Sequence, residues 1–290
     1  MKSWIFDLSQ LASACRWIGI SEEVTQAFCS TAGRLALAPT WEDKLEKSRT
    51  KLLGEKQAPE FNEVEPMFPA LVFLSILPEV QTRDRARGIP ENVTKESLFD
   101  IEIWIRQFYQ AHGRWGLGNV RWPVTYFTGR LYALGRLQFE MTAFPESCCS
   151  DGAIPFTPGD PVLSVHIPAS GKLDDADCEW SFRQAYEFFP SFFPEHAFKG
   201  LICISWMMNR QLEVALPKSS NLVRFIRRFK PLAFKDADDK QAWERVFGGP
   251  VSDFASAPRD TALRRALLAH AEAGGKWLSA AGYIEREIPV

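Results

Sequence analysis

The chain has 290 residues, 46% of them hydrophobic and 24% charged, a balance that excludes disordered and fibrous proteins. Its formal net charge of -2 gives no general attraction to nucleic acid or to an anionic membrane. The apolar run from Phe68 to Leu77 is too short for a transmembrane helix, and Asp7 interrupts the only stretch resembling an export signal, so we expect a cytoplasmic protein without nucleic-acid or membrane partners.

The first part of the chain shows only helical patterns. Apolar residues recur at helical spacing in four segments: 21–37, 40–53, 65–77 and 94–113. Ser21 is placed as an N-cap, and Pro78 is expected to stop the third helix. The charged segment 81–93 is interpreted as a solvated connection. Because no strand pattern precedes residue 118, we predict an all-helical N-terminal domain over 1–118.

After residue 118, segments typical of strands alternate with helical ones. Strands are predicted for 131–144, 162–168 and 201–206, and helices for 177–189, 221–229 and 260–273. Each helix has an apolar stripe that suits one face of a sheet. We therefore predict an α+β chain whose C-terminal domain, 119–290, is a mixed β-sheet flanked by helices.

The polar residues of these strands alternate with apolar ones, so each strand has one polar face. The polar sets are Tyr132, Arg136, Gln138 and Glu140; Ser164 and His166; and Cys203 and Ser205. If the polar faces are aligned in one sheet, they form a cleft that contains a base, an acid and a nucleophile. The alternative is a solvated polar face, with His166 a structural histidine and Cys203 a buried apolar group.

Two segments are candidates for binding a phosphorylated cofactor. Ser170, Gly171 and Lys172 precede a predicted helix, whose N-terminal amides can hold a phosphate, although aspartates at the same helix start are equally suited to cap it. Arg224 belongs to a basic cluster that either binds phosphate or forms a solvated helix face. The six cysteines have no zinc-ligand spacing, so no metal site is predicted.

Four segments carry a family resemblance: GRLYALGRLQFE, LSVHIPASGKLDDADCEWSFRQAYEFFPSFFPE, CISWMMNRQLEVALPKSSNLVRFIRRF and DTALRRALLAHAEAGG. Together they resemble the bacterial acyltransferase domain-containing proteins, which join a helical N-acyltransferase-type domain to a C-terminal GNAT-like domain. The resemblance implies an acyl-CoA or acetyl-CoA donor and a small-molecule amine acceptor. It further implies that the strand ending at His166 precedes the loop and helix facing the pyrophosphate.

Three hypotheses follow. In the first, Glu140 or His166 takes the proton from an amine that attacks an acyl-CoA, and Tyr132, Arg136, Gln138 and Trp206 contact the substrates. In the second, the protein is a hydrolase or thiol-dependent transferase in which Cys203 or Ser205 is the nucleophile and His166 the base. In the third, the polar face binds a ligand or partner protein without catalysis.

Overall fold

A computed structural model describes residues 4–37, 40–61, 65–149, 154–169, 171–235 and 238–286. These residues fall into two compact units. The first ends at Leu134 and includes 168–169, and the second holds 135–167 and the chain from Gly171 onward. The predicted domain boundary at 118/119 lies inside the first unit. The division into two independently folding domains at that position stays a prediction.

The first unit is helical, apart from one short strand at its end. Its elements are α1 (Leu8–Ile18), α2 (Glu22–Leu35), α3 (Thr40–Glu55), α4 (Phe68–Ser75), α5 (Leu77–Ala86), α6 (Glu91–His112), α7 (Arg121–Phe127) and β1 (Leu131–Leu134). Within the described residues no strand precedes residue 118, as predicted. Helices α1 and α7 were not predicted. The buried residues of α1, α2, α4 and α6 share one hydrophobic core.

The prediction of a solvated connection after Pro78 is wrong. Pro78 lies in the first turn of α5, where its missing N–H breaks no helical hydrogen bond. It therefore begins a further helix instead of being followed by a loop. Val80 and Asp84 are buried, which anchors this charged segment in the unit. Helix α6 does end at Gly113, whose φ of 65° provides the expected left-handed C-cap.

The second unit is a mixed sheet with helices, so the α+β fold is confirmed. Its elements are β2 (Leu137–Ala143), β3 (Cys148–Cys149), β4 (Pro161–His166), α8 (Asp175–Phe192), β5 (Gly200–Ser205), α9 (Gln211–Ala215), α10 (Asn221–Arg227), β6 (Lys230–Phe234), α11 (Lys240–Phe247), α12 (Ala262–Glu272) and β7 (Ala280–Glu285). The six strands of this unit run in the order β2-β4-β5-β7-β6-β3. Strands β4 and β5 are parallel and are connected through α8, whereas the other described pairs are antiparallel.

Aromatic side chains cover one face of this sheet. Phe139 of β2 lies 6.0 Å from Phe182 and 6.4 Å from Phe189 of α8, measured between ring centroids. Phe182 also contacts Phe229, which follows α10, at 6.0 Å. Gly282 of β7 allows this close packing, because a Cβ there would lie 2.8 Å from the Phe229 Cβ. Such interlocking rings fix the helices on this face.

Candidate active site

The pairing of β2 with β4 places Glu140 and His166 on one face of the sheet. Gln138 is opposite His166, and Glu140 is opposite Ser164, so these four side chains point to the same side. Glu140 Oε2 lies 3.3 Å from His166 Nε2. The two side chains are 17% and 26% exposed, which leaves the pair partly open to solvent or substrate. This part of the sequence-based cluster is therefore present.

The expectation that Cys203 and Ser205 share the face of His166 is wrong. In the parallel register Ser164 is opposite Ile202, so Ile202 points with His166 while Cys203 and Ser205 point to the other face. Cys203 is 1% exposed, and burial raises the pKa of its thiol to about 12. Ser205 Oγ accepts a hydrogen bond from the Met207 amide at 3.2 Å. The geometry thus does not support a relay from His166 to either side chain.

The expectation of one shared face for Tyr132, Arg136, Gln138 and Glu140 is also wrong. The segment is not one strand, because a turn at Gly135, with φ of 70°, separates β1 from β2 and ends the alternation. Tyr132 is buried in the first unit, where its hydroxyl donates to Asp84 Oδ1 at 3.1 Å. Only Gln138 and Glu140 remain on the His166 face.

Arg136 holds the loop that precedes α8. Its Nε donates to the Lys172 carbonyl at 2.7 Å and its Nη2 to the Gly171 carbonyl at 3.3 Å. Its backbone amide donates to Ser181 Oγ of α8 at 2.8 Å. Burial lowers the pKa of the Arg136 guanidinium. Arg136 therefore contacts the loop and helix in this structure, and a substrate contact stays a prediction.

The start of α8 contains its own anions. The Ala176 amide donates to Asp174 Oδ1 at 3.0 Å, so Asp174 caps the helix as the capping alternative predicted. Arg228 Nη2 lies 2.6 Å from Asp175 Oδ1 and its Nη1 also pairs with Glu179. No local sequence pattern indicates these pairs, because Arg228 follows Glu179 by 49 residues and Asp175 by 53 residues in the chain.

The remaining candidates occupy different surroundings. Gly171 has φ of 76° and nothing near the position of a Cβ, Lys172 is exposed, and Ser170 lies outside the described residues. Arg224 is exposed on α10. Trp206 is 6% exposed and packs in a cluster with Leu212 and Val223. Their roles toward a cofactor or substrate stay predictions.

The described residues contain neither a metal-binding cluster nor a membrane-spanning helix. Among them, no group of three or more histidine, cysteine, aspartate or glutamate side chains is arranged to hold a metal ion. No helix in the described ranges is long and apolar enough to cross a membrane. Glu140 and His166 bring a carboxylate and an imidazole together, and a carboxylate in such a position can orient the imidazole and stabilise its protonated form.

A mixed sheet in which the parallel strands β4 and β5 are connected through α8 agrees with the GNAT-like sheet that the sequence resemblance implies. The family model described as GNAT-like C-terminal domain matches residues 131–284, more than half of the chain. The chain belongs to this family. The model of the N-acyltransferase N-terminal domain matches residues 9–129, so the combination of domains implied by the sequence resemblance is confirmed.

Solved structures share the same fold. An acyltransferase crystallised with decanoyl-CoA is 23% identical, with a TM-score of 0.81 over 96% of this chain and 88% of that one. An acyltransferase crystallised with decanoyl-CoA and teicoplanin is 24% identical, with a TM-score of 0.80 over 97% of this chain and 94% of that one. A mutant acyltransferase in complex with octanoyl-CoA is 24% identical, with a TM-score of 0.80 over 96% and 88%. No curated protein matches the chain.

Proposed function

We propose that the protein is an acyl-CoA-dependent N-acyltransferase that acylates the amine of a small molecule. The observation that carries the proposal is the 3.3 Å approach of Glu140 Oε2 to His166 Nε2 at the end of β4. The family supports the reaction class, and similar structures that hold octanoyl-CoA, decanoyl-CoA and teicoplanin support a medium-chain donor and a small-molecule acceptor.

In the proposed reaction the acceptor amine attacks the thioester carbonyl carbon, so that a C–N bond forms and the C–S bond breaks. His166 takes the proton from the amine, and the carboxylate of Glu140 stabilises the resulting imidazolium. Coenzyme A leaves as the thiolate or the thiol. Transfer is direct and needs no enzyme nucleophile, which agrees with the position of Cys203 and Ser205 on the opposite face.

The parallel pairing of β4 with β5 is short in the described residues. It covers two positions and reaches Ser164 and Ile202, two residues before His166. The loop 167–174 then leads into α8. The charge at that helix start fits a pyrophosphate poorly, because Asp174 already occupies the Ala176 amide and Arg228 is paired with Asp175. These contacts give no support for pyrophosphate binding at the start of α8.

The test is a thiol-release assay with decanoyl-CoA and a panel of primary amines that includes a glycopeptide, with product mass as the second readout. We expect one acyl group on an amine and one free thiol per turnover. His166→Gln and Glu140→Gln should each lower kcat by about a hundredfold, the usual contribution of a general base.

Thr142→Ala is the matched control, because Thr142 lies on the same face of β2 as Glu140, one position further along that face. It should leave kcat within about twofold, because the Thr142 hydroxyl donates to the backbone carbonyl of Ala143, at 3.5 Å. Circular dichroism checks that each variant is folded. Turnover that is unaffected by both His166→Gln and Glu140→Gln would refute the assigned base, and absence of any thiol release with all donors and acceptors would refute the activity.

A further inference from the structure

The helical first unit contains a cavity of about 700 Å³ that the proposed transfer reaction does not use. It is formed by the end of α3, the segment 57–61, residues 65–66 before α4, Phe108 of α6 and the segment 114–121. This volume lies in the range of pockets that bind drug-sized molecules.

A tightly packed apolar wall forms one side of the cavity. Phe108 of α6 lies against the segment around Leu117, where a Cβ on Gly116 would be 2.4 Å from Phe108 Cε1 and 2.6 Å from Pro66 Cβ. A Cβ on Gly118 would be 3.1 Å from Phe108 Cδ2. The Leu117 amide donates to the Pro66 carbonyl at 2.9 Å. Because these groups are in contact, the wall is preformed.

The other side of the cavity carries an excess of positive charge. Lys51, Arg114 and Arg121 line it, and among the described residues none of the three forms an ion pair. Of the lining carboxylates, Glu65 is neutralised, since its Oε2 lies 2.8 Å from Arg34 Nη2 and its Oε1 accepts from the Met67 amide. Glu60 is the other carboxylate among the described lining residues, so in this described set three cations accompany one carboxylate that is not paired in this way.

We propose that this cavity binds a small organic anion, a carboxylate or phosphate carried on an aromatic or alicyclic body. The cations select the charged group, because guanidinium groups hold carboxylate and phosphate by charge-assisted hydrogen bonds. Phe108, which is half-buried and lines the cavity, contacts the apolar body. An inorganic anion alone leaves the apolar wall without a partner and is bound more weakly. All the described residues that line the cavity belong to the first unit, and the proposal does not rest on the proposed transfer.

Calorimetry with three naphthalene probes tests the proposal on the full chain: 2-naphthoate, 2-naphthyl phosphate and the neutral 2-naphthalenemethanol. We expect both anions to bind at one site and the alcohol to bind about tenfold more weakly or worse, and their order shows whether carboxylate or phosphate is preferred. Inorganic phosphate should bind more weakly than naphthyl phosphate. Equal affinity for the anions and the alcohol, or no binding at millimolar probe, overturns the proposal.

Variants locate the binding. Replacing Arg114 and Arg121 together by glutamine should lower the affinity for both anions by about tenfold and leave that for the alcohol unchanged, whereas lysine at both positions should retain most of it. Arg85→Gln removes an exposed charge of the same unit outside this cavity and should change nothing. Gln57→Trp, at an exposed lining position, should weaken all three probes. Anion binding that survives the double glutamine variant, or is lost equally in Arg85→Gln, refutes the site.

Discussion

The carboxylates that matter most in the two units differ in burial and in the number of hydrogen bonds that they accept. The first unit buries Asp84, Asp100 and Glu102 at 2–4% exposure, and each accepts from several donors. Asp84, for example, accepts hydrogen bonds from Thr94, Tyr132 and Arg83. In the second unit, by contrast, Glu140 is partly exposed and lies beside His166. A carboxylate enclosed by donors has no capacity left for a substrate, whereas an exposed one beside an imidazole can exchange protons.

Asp100 and Glu102 of the first unit are likewise surrounded by hydrogen-bond donors. The indole N–H groups of Trp104 and Trp122 both donate to Asp100 Oδ2 at 2.8 Å. Glu102 accepts from the Ser21 amide and from Arg106 Nε, each at 2.7 Å. These bonds connect α6, α7 and the N-cap residue of α2 through the two buried carboxylates. The buried carboxylates of the first unit therefore stabilise the fold, and replacing them should affect stability before activity.

The largest expected effect comes from breaking the first network. Asp84→Ala should lower the free energy of unfolding by about 3–5 kcal/mol, because it leaves the hydroxyls of Thr94 and Tyr132 and the Arg83 guanidinium without their partner. Urea unfolding measures the change. Glu96→Ala, at an exposed position of α6, is the control and should shift stability by less than about 0.5 kcal/mol. Similar effects from both variants would contradict the structural role.

The reverse result is expected for the pair in the second unit. Glu140→Gln should lower the free energy of unfolding by no more than about 1 kcal/mol, because the side chain is partly exposed and the pair is screened. The transferase assay should nevertheless show the loss of kcat predicted above. A stability loss as large as that of Asp84→Ala would place Glu140 in a structural network and remove the contrast.

Removing the cap of α8 should give an intermediate effect. Asp174→Ala deletes the acceptor for the Ala176 amide and should cost about 1 kcal/mol of unfolding free energy, whereas Asp174→Ser should cost a few tenths because serine also caps. Thermal unfolding of both variants measures the difference. Equal losses for alanine and serine would show that the negative charge, rather than the cap, is what matters.

The reactivity of the cysteines tests the assignment of faces. Burial raises the pKa of Cys203 to about 12, so its thiol is protonated at neutral and mildly basic pH. In the folded protein iodoacetamide should modify half-buried Cys29 well before Cys203, and Cys203 should react only after unfolding. Mass spectrometry of peptides after timed labelling checks the order. Early labelling of Cys203 would reopen the thiol mechanism.

The smallest effect concerns the cap of α1 in the first unit. The backbone hydrogen bond from Gln10 and then its side-chain bond lower the pKa of Asp7 below its ordinary value near 3.8. A lowered folded pKa stabilises the protein above the unfolded pKa, and this contribution disappears as pH falls through the folded value. The melting temperatures of wild type and Asp7→Asn should therefore differ at neutral pH and converge as the pH falls below the ordinary pKa of an aspartate and through the lowered pKa of Asp7. A difference that persists there would refute the charge effect.

Most of the helices could be predicted because their signals are local. Apolar spacing and Gly113 locate α6. The last helix was predicted to begin at residue 260, one residue before Thr261, whose hydroxyl caps α12. Pro78 shows the limit of local rules, since proline ends one helix or begins the next depending on what packs beside it. Strand β7, with its small residues Ala280 and Gly282, has little alternation and was not predicted.

The sequence by itself determined the class of fold, the family and the presence of Glu140 and His166 on strand-forming segments, because spacing and residue type act over a few neighbours. Only the tertiary structure decided which strand faces coincide. Shifting a strand by one residue turns every side chain to the other side, and the pairing of Ser164 with Ile202 is long-range. That single register separates Cys203 and Ser205 from His166, and the turn at Gly135 removes Tyr132 from the same face.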